Sequence, residues 1–404
     1  VVQITNTQSA AEVLRSSVPG IARGMERSYG DIALNAGGTL WDIRTLDRFL
    51  DFDDKTGILS CEPGVLFRDI QSLFSRRGWM LPVTPGTEMV SVAGAIANDV
   101  HGKNHAAMGT IGDHVVALTL LRTDGEIIEC SPSENRDWFE ATIGGMGLTG
   151  LIVQASIRLK QVPGPWILAE DVVYETLPEF FQISDESEDK YEHTVSWIDI
   201  TTDGGRRGIL TRGNSTPSNR PLPADKSVSV PFVPPVSFVN AITLPAFNKF
   251  YYRLKRIRAG SSIVHYKPFF YPLDAIHNWN RMYGPRGFFQ YQSVVPRETG
   301  EDSTREMLKQ IAKSGNGSFL GVLKTFGDRE PVGMMSFPQP GVTLAIDFPN
   351  QGAKTEQLFT NLDAIVSEAG GRLYPGKDAR MPKKMFESGY PRLDEFVRYR
   401  DPGI

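Results

Sequence analysis

The 404-residue chain has little cysteine, no long apolar run and no large excess of either charge. Its two thiols, Cys61 and Cys130, lack the spacing of metal ligands, so we predict a reduced pair and no metal site. No apolar stretch reaches the ~20 residues that cross a bilayer. The net charge of −4 supplies no overall field that would attract a nucleic acid. Any anionic ligand must therefore be held by a local arrangement of groups.

The N-terminus also lacks the basic and then apolar pattern of a secretory signal. The chain starts within a pattern at Val1 and stops abruptly at Ile404, which leads us to expect trimmed termini. The compartment therefore stays open between the cytoplasm and the periphery of a membrane.

Strand-like and helix-like segments alternate over the first 160 residues. Apolar patterns predict strands at residues 38–43, 58–62, 115–122 and 150–160, after a short strand at Ile21. Helical spacing predicts helices at residues 8–16 (capped by Ser9), at 65–77 and from Arg136 to Gly145. This mixture is typical of an α+β or α/β unit, and we assign it to residues 1–160.

The pattern changes after residue 160. Residues 214–237 hold six prolines, which is typical of a loop. Further along, strands are predicted at 288–295, 317–326 and 341–348, and helices at 300–314 and 354–368. We predict a second α+β unit at residues 161–365, with an antiparallel sheet, helices on one face and mobile loops near 214–262. Residues 366–404 are expected to return to the first unit.

Three blocks of small residues interrupt the first unit, at residues 23–31, 85–102 and 144–150. Glycine and alanine remove side-chain bulk, so that consecutive N–H groups can converge on an anionic oxygen. Any one block can equally serve backbone geometry alone. No G-x-G-x-x-G opens a helix after the first strand and no Walker-type lysine follows. Rossmann dehydrogenases and phosphate-loop nucleotidases are therefore disfavoured.

Taken in order, the blocks resemble the FAD-binding domain of the vanillyl-alcohol-oxidase superfamily. The resemblance rests on Arg23-Gly24-x-x-Arg27-Ser28-Tyr29-Gly30-Asp31, Pro85-Gly86-Thr87 and Val92-Ala93-Gly94-Ala95-Ile96-Ala97. It implies a PCMH-type domain of two subdomains whose loops surround FAD, and a cap domain over the isoalloxazine. Where many members attach FAD to a histidine, this chain reads Glu26-Arg27-Ser28-Tyr29. We therefore predict noncovalent FAD, with His101 as the alternative anchor.

The resemblance also implies which residues contact FAD. They are Ala22, Arg23, Gly24, Met25, Glu26, Arg27, Ser28, Tyr29, Gly30, Asp31, Gly86, Thr87, Ser91, Val92, Ala93, Gly94, Ala97, Asn98, Val100, His101, Ile152 and Tyr374.

Other motifs are similar to the FAD-dependent subunits of epimerases that act on polyprenyl-phosphoryl pentoses. These motifs are His101-Gly102-Lys103-Asn104-His105, Trp279-Asn280-Arg281-x-Tyr283-Gly284-Pro285, Phe289-Gln290-Tyr291-Gln292, Leu344-Ala345-Ile346-Asp347-Phe348-Pro349 and Gly370-Gly371-Arg372-Leu373-Tyr374-x-x-Lys377-Asp378. The resemblance implies oxidation of the 2′-hydroxyl of a lipid-linked sugar, with the keto product passed to a short-chain reductase. The alternatives are an aldonolactone or sugar-alcohol oxidase acting on a free sugar, and a flavoprotein that only binds sugar or lipid.

On the substrate side the resemblance implies Trp197, Gln290, Gln292, Lys324, Asp347 and Lys377. Lys377, Tyr29 and His101 are the catalytic candidates, with Lys377 either a base or a cationic anchor. The two glutamines lie two apart on one strand and so face the same side. Without the resemblance, Trp197 would be read as core and Lys324 as a surface lysine. We interpret the four remaining histidines outside the motifs as structural: His114, His193, His265 and His277.

Two positions depart from the family's pattern. Ala345 stands where the family has a cysteine that covalent inhibitors attack, and Thr343 stands where it has an asparagine. Hydride chemistry does not need that cysteine, so the departures put the sugar specificity in doubt rather than the activity.

Residues 245–259 interleave aromatic with basic side chains. Rings that insert among lipids and cations that meet anionic headgroups suit peripheral contact with a membrane. The other interpretation is an exposed basic helix.

Overall fold

Two antiparallel sheets with helices packed against them make up most of the computed structural model, which describes residues 1–201, 207–378 and 380–404. The chain is therefore α+β, as predicted. In the first 161 residues the strands are β1 (Val2–Gln3), β2 (Gly20–Arg23), β3 (Thr39–Asp42), β4 (Phe49–Asp53), β5 (Ile58–Cys61), β6 (Trp79–Met80), β7 (Val115–Leu121), β8 (Ile127–Cys130), β9 (Leu151–Arg158) and β10 (Lys160–Gln161). The helices are α1 (Thr7–Ser16), α2 (Phe67–Phe74), α3 (Val92–Ala97), α4 (His105–Met108) and α5 (Arg136–Thr142).

The remaining elements follow in the same way. The strands are β11 (Trp166–Tyr174), β12 (His193–Ile198), β13 (Gly208–Thr216), β14 (Val228–Ser229), β15 (Gly260–His265), β16 (Ile276–His277), β17 (Phe288–Val295), β18 (Gly321–Phe326), β19 (Gly341–Pro349) and β20 (Arg372–Leu373). The helices are α6 (Leu177–Glu188), α7 (Thr243–Ile257), α8 (Tyr266–Phe270), α9 (Arg297–Ser314), α10 (Ala353–Glu368), α11 (Lys383–Gly389) and α12 (Leu393–Phe396). Short 3₁₀ turns lie at Ser75–Arg77, Ile111–His114, Trp279–Tyr283, Pro375–Lys377 and Val397–Tyr399.

The predicted elements of the first unit are confirmed within a few residues. One detail was wrong, because α1 is capped by Asn6 rather than by Ser9. The Asn6 side chain accepts a hydrogen bond from the Ser9 amide at 2.8 Å. A side-chain acceptor must lie outside the first turn to reach its unpaired N–H groups, so the cap lies three residues earlier.

The first sheet has the strand order β4-β5-β9-β7-β8, and every pair in it is antiparallel. Alternation in β9 buries Leu151, Val153, Ala155 and Ile157 against a core that also holds helices α2 and α3. Beside it, β1, β3 and β2 form a small parallel sheet. The chain leaves β2 directly into the first block of small residues, so the sheet fixes where that loop begins.

The second sheet has the order β15-β11-β13-β12-β18-β19-β17-β20, again with antiparallel pairs. Helices α6, α9 and α10 pack on one face, and side chains such as Leu308, Phe359 and Leu362 fill the core between them. The predicted packing of helices on one face is therefore confirmed for α6, α9 and α10, whereas α7 and α8 contact the sheet from the side of Trp197 and Ala169. Strands β11, β12, β13 and β15 lay in the part of the chain where the sequence predicted no regular structure.

Regular structure also occupies part of the range where loops were predicted. Helix α7 and the first half of β15 lie within residues 214–262, and the mobility of this range stays a prediction. The C-terminal segment begins as β20 on the edge of the second sheet, where Ser293 pairs with Leu373. It then returns to the first unit, where the Thr123 amide donates to the Asp401 carboxylate at 2.8 Å. Across the described residues, no helix combines the length and apolar character required to cross a bilayer.

Candidate functional site

A large cavity of about 1620 Å³ lies where the loops of the first unit face the side of the second sheet opposite α6, α9 and α10. Ligand pockets for small molecules are typically about 300–1,000 Å³, so this space suits an extended ligand or two ligands together. Most of the predicted site residues line it. They are Ala22, Gly24, Met25, Glu26, Arg27, Ser28, Tyr29, Gly86, Thr87, Ser91, Ala93, Gly94, Ala97, Asn98, Val100, His101, Ile152, Trp197, Gln290, Gln292, Lys324, Asp347, Tyr374 and Lys377.

Four predicted residues, Arg23, Gly30, Asp31 and Val92, lie outside the lining of this cavity. The reason is clearest at Val92, whose side chain is fully buried in the core of the first unit. Its amide donates to the Val65 carbonyl at 2.8 Å, so it has no free group for a ligand. The sequence motif includes Val92 because its apolar side chain anchors α3, and not because it faces the cavity.

The first wall of the cavity consists of loops that bring small residues and backbone groups to its surface. Ser91 caps α3 by accepting from the Gly94 amide at 3.3 Å. Gly24 lies so close to this cap that a Cβ there would meet the Ser91 Oγ at 2.3 Å. At Gly86, in contrast, a Cβ would meet nothing within 4 Å and would project into open space. The small residues therefore serve two purposes, which are loop packing and an unobstructed cavity.

The second wall consists of polar side chains from adjacent strands. Gln290 and Gln292 both face the cavity from β17, as the two-residue spacing predicted. Gln290 Nε2 donates to Asp347 Oδ1 at 2.5 Å, and the Tyr283 hydroxyl donates to Asp347 Oδ2 at 3.4 Å. Burial raises the pKa of Asp347 to about 6, although the hydrogen bond from Gln290 and the charge of Lys377 act in the opposite direction.

Three lysines, Lys103, Lys324 and Lys377, bring ammonium groups to the same cavity. Lys324 Nζ donates to the Gly102 carbonyl at 3.1 Å, and Lys103 Nζ donates to the Phe269 carbonyl. Burial lowers the pKa of Lys103 and of Lys324 to about 7, and that of Lys377 to about 8. Among the described residues, none of the three forms an ion pair with a carboxylate within 4.0 Å.

Tyr29 and Lys377 lie in direct contact at the junction of the two walls. The Lys377 Nζ is 4.1 Å from the centre of the Tyr29 ring, and the Tyr29 amide donates to the Gly376 carbonyl at 3.1 Å. Burial, and then the nearby Asp347 carboxylate, raise the pKa of Tyr29 above its ordinary value. The phenol therefore keeps its proton at neutral pH, and the acid–base candidate of this pair is Lys377.

His101 is 8% exposed and makes a hydrogen bond between its Nε2 and Gln292 Nε2 at 3.0 Å. Gln292 Nε2 also donates to the Thr343 hydroxyl at 3.3 Å, so the departure at Thr343 lies within this network. Burial first, and then the charges of Lys324, His105 and Lys377, lower the pKa of His101 well below its ordinary value. The imidazole is therefore neutral at pH 7.

Trp197 lines the cavity and also packs against other aromatic rings. Its Nε1 donates to the Phe319 carbonyl at 2.8 Å, and its ring centre is 4.9 Å from that of Tyr251. Ala345, the second departure, also lines the cavity, directly opposite Gln292 in the sheet register.

Several cavity residues were missed by the sequence reasoning. Lys103 lay inside a quoted motif from which only His101 was assigned to the site. His265 and His277, interpreted as structural, line the cavity, as does most of residues 264–280. No local pattern marks these residues, because β15, α8 and β16 reach the cavity only through tertiary packing.

The chain is similar in sequence to known FAD-binding proteins. Residues 1–131 match the family model of the FAD binding domain. The chain is 37% identical over 394 residues to a decaprenylphosphoryl-β-D-ribose oxidase of Mycolicibacterium smegmatis, covering 94% of this chain and 85% of that protein. It is 31% identical over 137 residues to an L-gulonolactone oxidase of Mus musculus, covering 33% of this chain and 30% of that protein. A D-arabinono-1,4-lactone oxidase of Neurospora crassa, a putative one by its name, is 27% identical over 140 residues, covering 35% of this chain and 24% of that protein.

These similarities define the class first: the protein is an FAD-dependent oxidoreductase of the kind that acts on CH–OH groups. Within that class, the chain belongs to the decaprenylphosphoryl-β-D-ribose oxidase family. The resemblance noted in the sequence is thereby confirmed, and so is FAD as the cofactor.

The residues of the first wall fit this cofactor. Gly86 and Gly147 leave open space where a Cβ would lie, so backbone can approach a ligand closely at both. Asn98 Oδ1 is a buried acceptor without a hydrogen-bond partner among the described residues. A buried polar atom of this kind is normally satisfied, and a donor on a bound ligand would satisfy it.

Proposed function

We propose that this protein oxidises the 2′-hydroxyl of a polyprenyl-phosphoryl pentose to a ketone. The name of the Mycolicibacterium smegmatis relative, which is similar over nearly the whole chain, supports a lipid-linked ribose as substrate. The lactone oxidases are similar over only about a third of the chain. The similarity over nearly the whole chain therefore favours the lipid-linked sugar.

The observation that carries this proposal is a group of three cavity lysines that form no ion pair with a carboxylate within 4.0 Å among the described residues. A half-buried ammonium without a counterion is costly, because it has lost part of its hydration. A phosphodiester bound nearby would supply the missing charge and would also raise the lowered pKa values. A neutral lactone or free sugar supplies no such charge. Part of the lysine group is therefore proposed to hold the phosphate of the substrate.

The roles of the individual residues follow from their positions. When bound, FAD supplies the acceptor for the hydride that leaves the carbinol carbon. Gln290 and Gln292 would hydrogen-bond sugar hydroxyls, with Asp347 fixing the orientation of the Gln290 amide. His101, neutral and held by Gln292, would donate or accept one hydrogen bond without contributing charge. Trp197 would contact the substrate from the cavity wall.

Lys377 is proposed to receive the hydroxyl proton. Its pKa of about 8 leaves a usable fraction of neutral amine near pH 7.5, which an ordinary exposed lysine lacks. Its contact with Tyr29 holds it at the junction of the two walls, where cofactor and substrate would meet. The alternative role, a protonated anchor for phosphate or hydroxyl, gives the opposite pH dependence and is tested below.

The proposal includes the division of the chain and the mode of cofactor binding. Residues 1–160 and 366–404 would form the two-subdomain PCMH-type FAD-binding domain, and residues 161–365 the substrate cap. FAD would be noncovalent and held by the loops of the first wall. The keto product would pass to a short-chain reductase, and a lipid-linked substrate implies peripheral contact with a membrane.

The test is anaerobic mixing of the holoenzyme with candidate substrates while the flavin absorbance is followed. We expect bleaching by a polyprenyl-phosphoryl ribose, with a 2′-ketone recovered in the product. Bleaching by a free aldonolactone, and not by the lipid-linked sugar, would support the second candidate function. If neither substrate reduces the flavin, the remaining candidate is a flavoprotein that only binds sugar or lipid. Acid denaturation should release the flavin into solution, and flavin retained in the precipitate would contradict noncovalent binding.

A further inference from the structure

Exposed apolar side chains are concentrated in one segment of the surface. Of the twenty large apolar side chains that are exposed among the described residues, ten lie within residues 222–257. They include Phe232, Val236 and Ile242 in the loop before α7, and Phe250 and Ile257 on α7 itself. A monomeric protein seldom exposes such a concentration without a use for it, so the surface is expected to contact something.

The same segment is strongly basic although the whole chain carries a net charge of −4. Residues 226–273 contain seven lysines and arginines and no aspartate or glutamate. Lys249, Arg253 and Arg258 are exposed and make no ion pair within the described part of the chain. Among the described residues no carboxylate neutralises them, which leaves them available to an anionic surface outside the chain.

Helix α7 separates an inner from an outer face. Its inner face carries Leu244, Asn248 and Tyr252, which are buried, whereas Phe250, Arg253 and Ile257 follow one another along the outer face. A stripe of this spacing, apolar with cations beside it, is typical of a helix that lies in a lipid headgroup region. Lys255 is not part of the outer face of α7. Its Nζ pairs with Asp171 at 2.7 Å, and the residue lines the cavity.

Aromatic rings connect this outer surface with the cavity. Trp197 and Tyr251 both line the cavity. The Tyr251 ring is stacked on Phe247 with centres 5.9 Å apart, and Phe247 contacts Phe319 with centres 4.6 Å apart. Because Phe247 is 42% exposed, the cluster reaches from the cavity wall to the exposed surface.

We propose that the outer face of α7 and the exposed apolar loop before it dock on an anionic lipid bilayer. The isoprenoid chain of the substrate would leave the cavity along Trp197, Tyr251 and Phe247 and remain in that bilayer. The docking surface stands on its own charge and exposure, whereas the path of the isoprenoid chain rests on the proposed function. A bilayer fits better than a protein partner, because unpaired cations flank isolated apolar tips that can each insert between lipids.

Vesicle binding tests the surface with the full-length holoenzyme. We expect co-sedimentation with vesicles of equal parts phosphatidylcholine and phosphatidylglycerol, weaker binding to pure phosphatidylcholine, and a decrease as salt is raised. The variants Phe250→Ser/Ile257→Ser and Lys249→Glu/Arg253→Glu should each lose at least about tenfold in partitioning. The matched controls are Ile127→Ser, which changes an apolar residue that is 64% exposed, as against 65% for Phe250, and Lys313→Glu on α9.

No binding by the parent protein, or equal binding by all variants, would overturn the proposal. So would a dimer that Phe250→Ser/Ile257→Ser splits while vesicles are not bound, because the surface would then be an interface between two copies. Flavin reduction by a short-chain, detergent-soluble prenyl-phosphoryl ribose should be unchanged in these variants. If vesicles bind but no prenyl-phosphoryl sugar reduces the flavin, the proposed function fails and the docking surface stands.

Discussion

The two walls of the cavity present different kinds of chemical groups to a ligand. The first wall presents backbone and small side chains from loops, together with polar side chains such as Arg27, Asn98 and His101. The second wall presents long polar side chains, among them Gln290, Lys324 and Asp347, from the strands of a rigid sheet. A wall of the first kind can follow the outline of one large, constant ligand. A wall of the second kind can distinguish small differences between hydroxyls and can carry charge.

Two buried carboxyl groups have a pKa that burial raises to about 6, Asp99 beneath the loops of the first wall and Asp347 in the second wall. Asp99, which does not line the cavity, accepts from neutral donors, among them the Gly112 amide at 2.9 Å and the Ser336 hydroxyl at 2.5 Å. In the second wall, Asp347 lies near the Lys377 ammonium. The first carboxyl group therefore serves loop geometry, whereas the second is electrostatically coupled to the proposed proton acceptor. The comparison predicts that the two will respond differently to mutation.

The largest effect is expected at Lys377, where the walls meet. Lys377→Met removes the proposed proton acceptor, so flavin reduction by substrate should slow by about 10²–10⁴-fold. FAD should stay bound, because its loops lie in the first wall. Stopped-flow reduction and flavin content measure the two quantities, and Lys383→Met, at a lysine whose side chain is 87% exposed, is the control. A variant that is reduced at the parent's rate would remove Lys377 from the mechanism.

Glycines of the first wall should affect cofactor binding and not the substrate. Gly24→Ala places a Cβ 2.3 Å from Ser91 Oγ, so the cap of α3 must shift at a cost of about 1–3 kcal/mol in folding or FAD affinity. Gly86→Ala meets no protein atom within 4 Å, so the FAD-free protein should unfold at the parent's denaturant concentration while FAD binds more weakly. Equal FAD affinity in the Gly86 variant would show that this loop does not contact the cofactor.

Asp99→Asn should change stability with a defined pH dependence. The folded-state pKa of about 6 lies above the ordinary value of 3.8, so the parent loses stability as pH rises from about 4 through 6. The asparagine does not titrate. Relative to the parent, the FAD-free variant should therefore gain about 2 kcal/mol between pH 4.5 and pH 7.5. Denaturant unfolding at the two pH values measures the difference, and a constant difference would contradict the assignment.

Asp347→Asn tests the electrostatic coupling in the second wall. The Asp347 carboxylate raises the pKa of Lys377, so its removal should lower that pKa from about 8 by about one unit. If Lys377 acts as the base, the rise of the reduction rate with pH moves to lower pH by the same amount. If Lys377 is a protonated anchor, substrate affinity instead begins to fall at lower pH. A pH profile identical to that of the parent would show that the two groups are not coupled.

The smallest effect on activity is expected for Ala345→Cys, which places a thiol on the cavity wall. Flavin reduction should change by less than about twofold, because the new side chain is small. A thiol reagent should label this variant much faster than the parent, whose free Cys61 and Cys130 are both buried, with pKa values that burial raises to about 12. Bound substrate should slow the labelling. A thiol that reacts no faster than the parent's would place Ala345 away from the cavity.

The two walls also differ in how far they could be predicted. The first wall was recognisable because its residues lie within short stretches such as 22–31 and 91–101, where the spacing of small residues is itself the signal. The second wall required the similarity of longer motifs to the family, since a glutamine pair or a strand lysine has no chemical signature alone. Lys103, His265 and Tyr251 were missed because their role depends on which strands and helices pack opposite them.

The sequence alone determined the α+β class, most helices and strands, and the loops suited to FAD. It also determined that the side chains of Gln290 and Gln292 face the same side of their strand. These features depend on spacing along the chain, which local backbone geometry converts directly into structure. Only the tertiary structure decided that three lysines share one cavity, that Val92 faces the core and that Thr343 supports His101 through Gln292. Such relations depend on strand register and sheet order across separations of up to about 270 residues, from Lys103 to Lys377, and no local pattern encodes them.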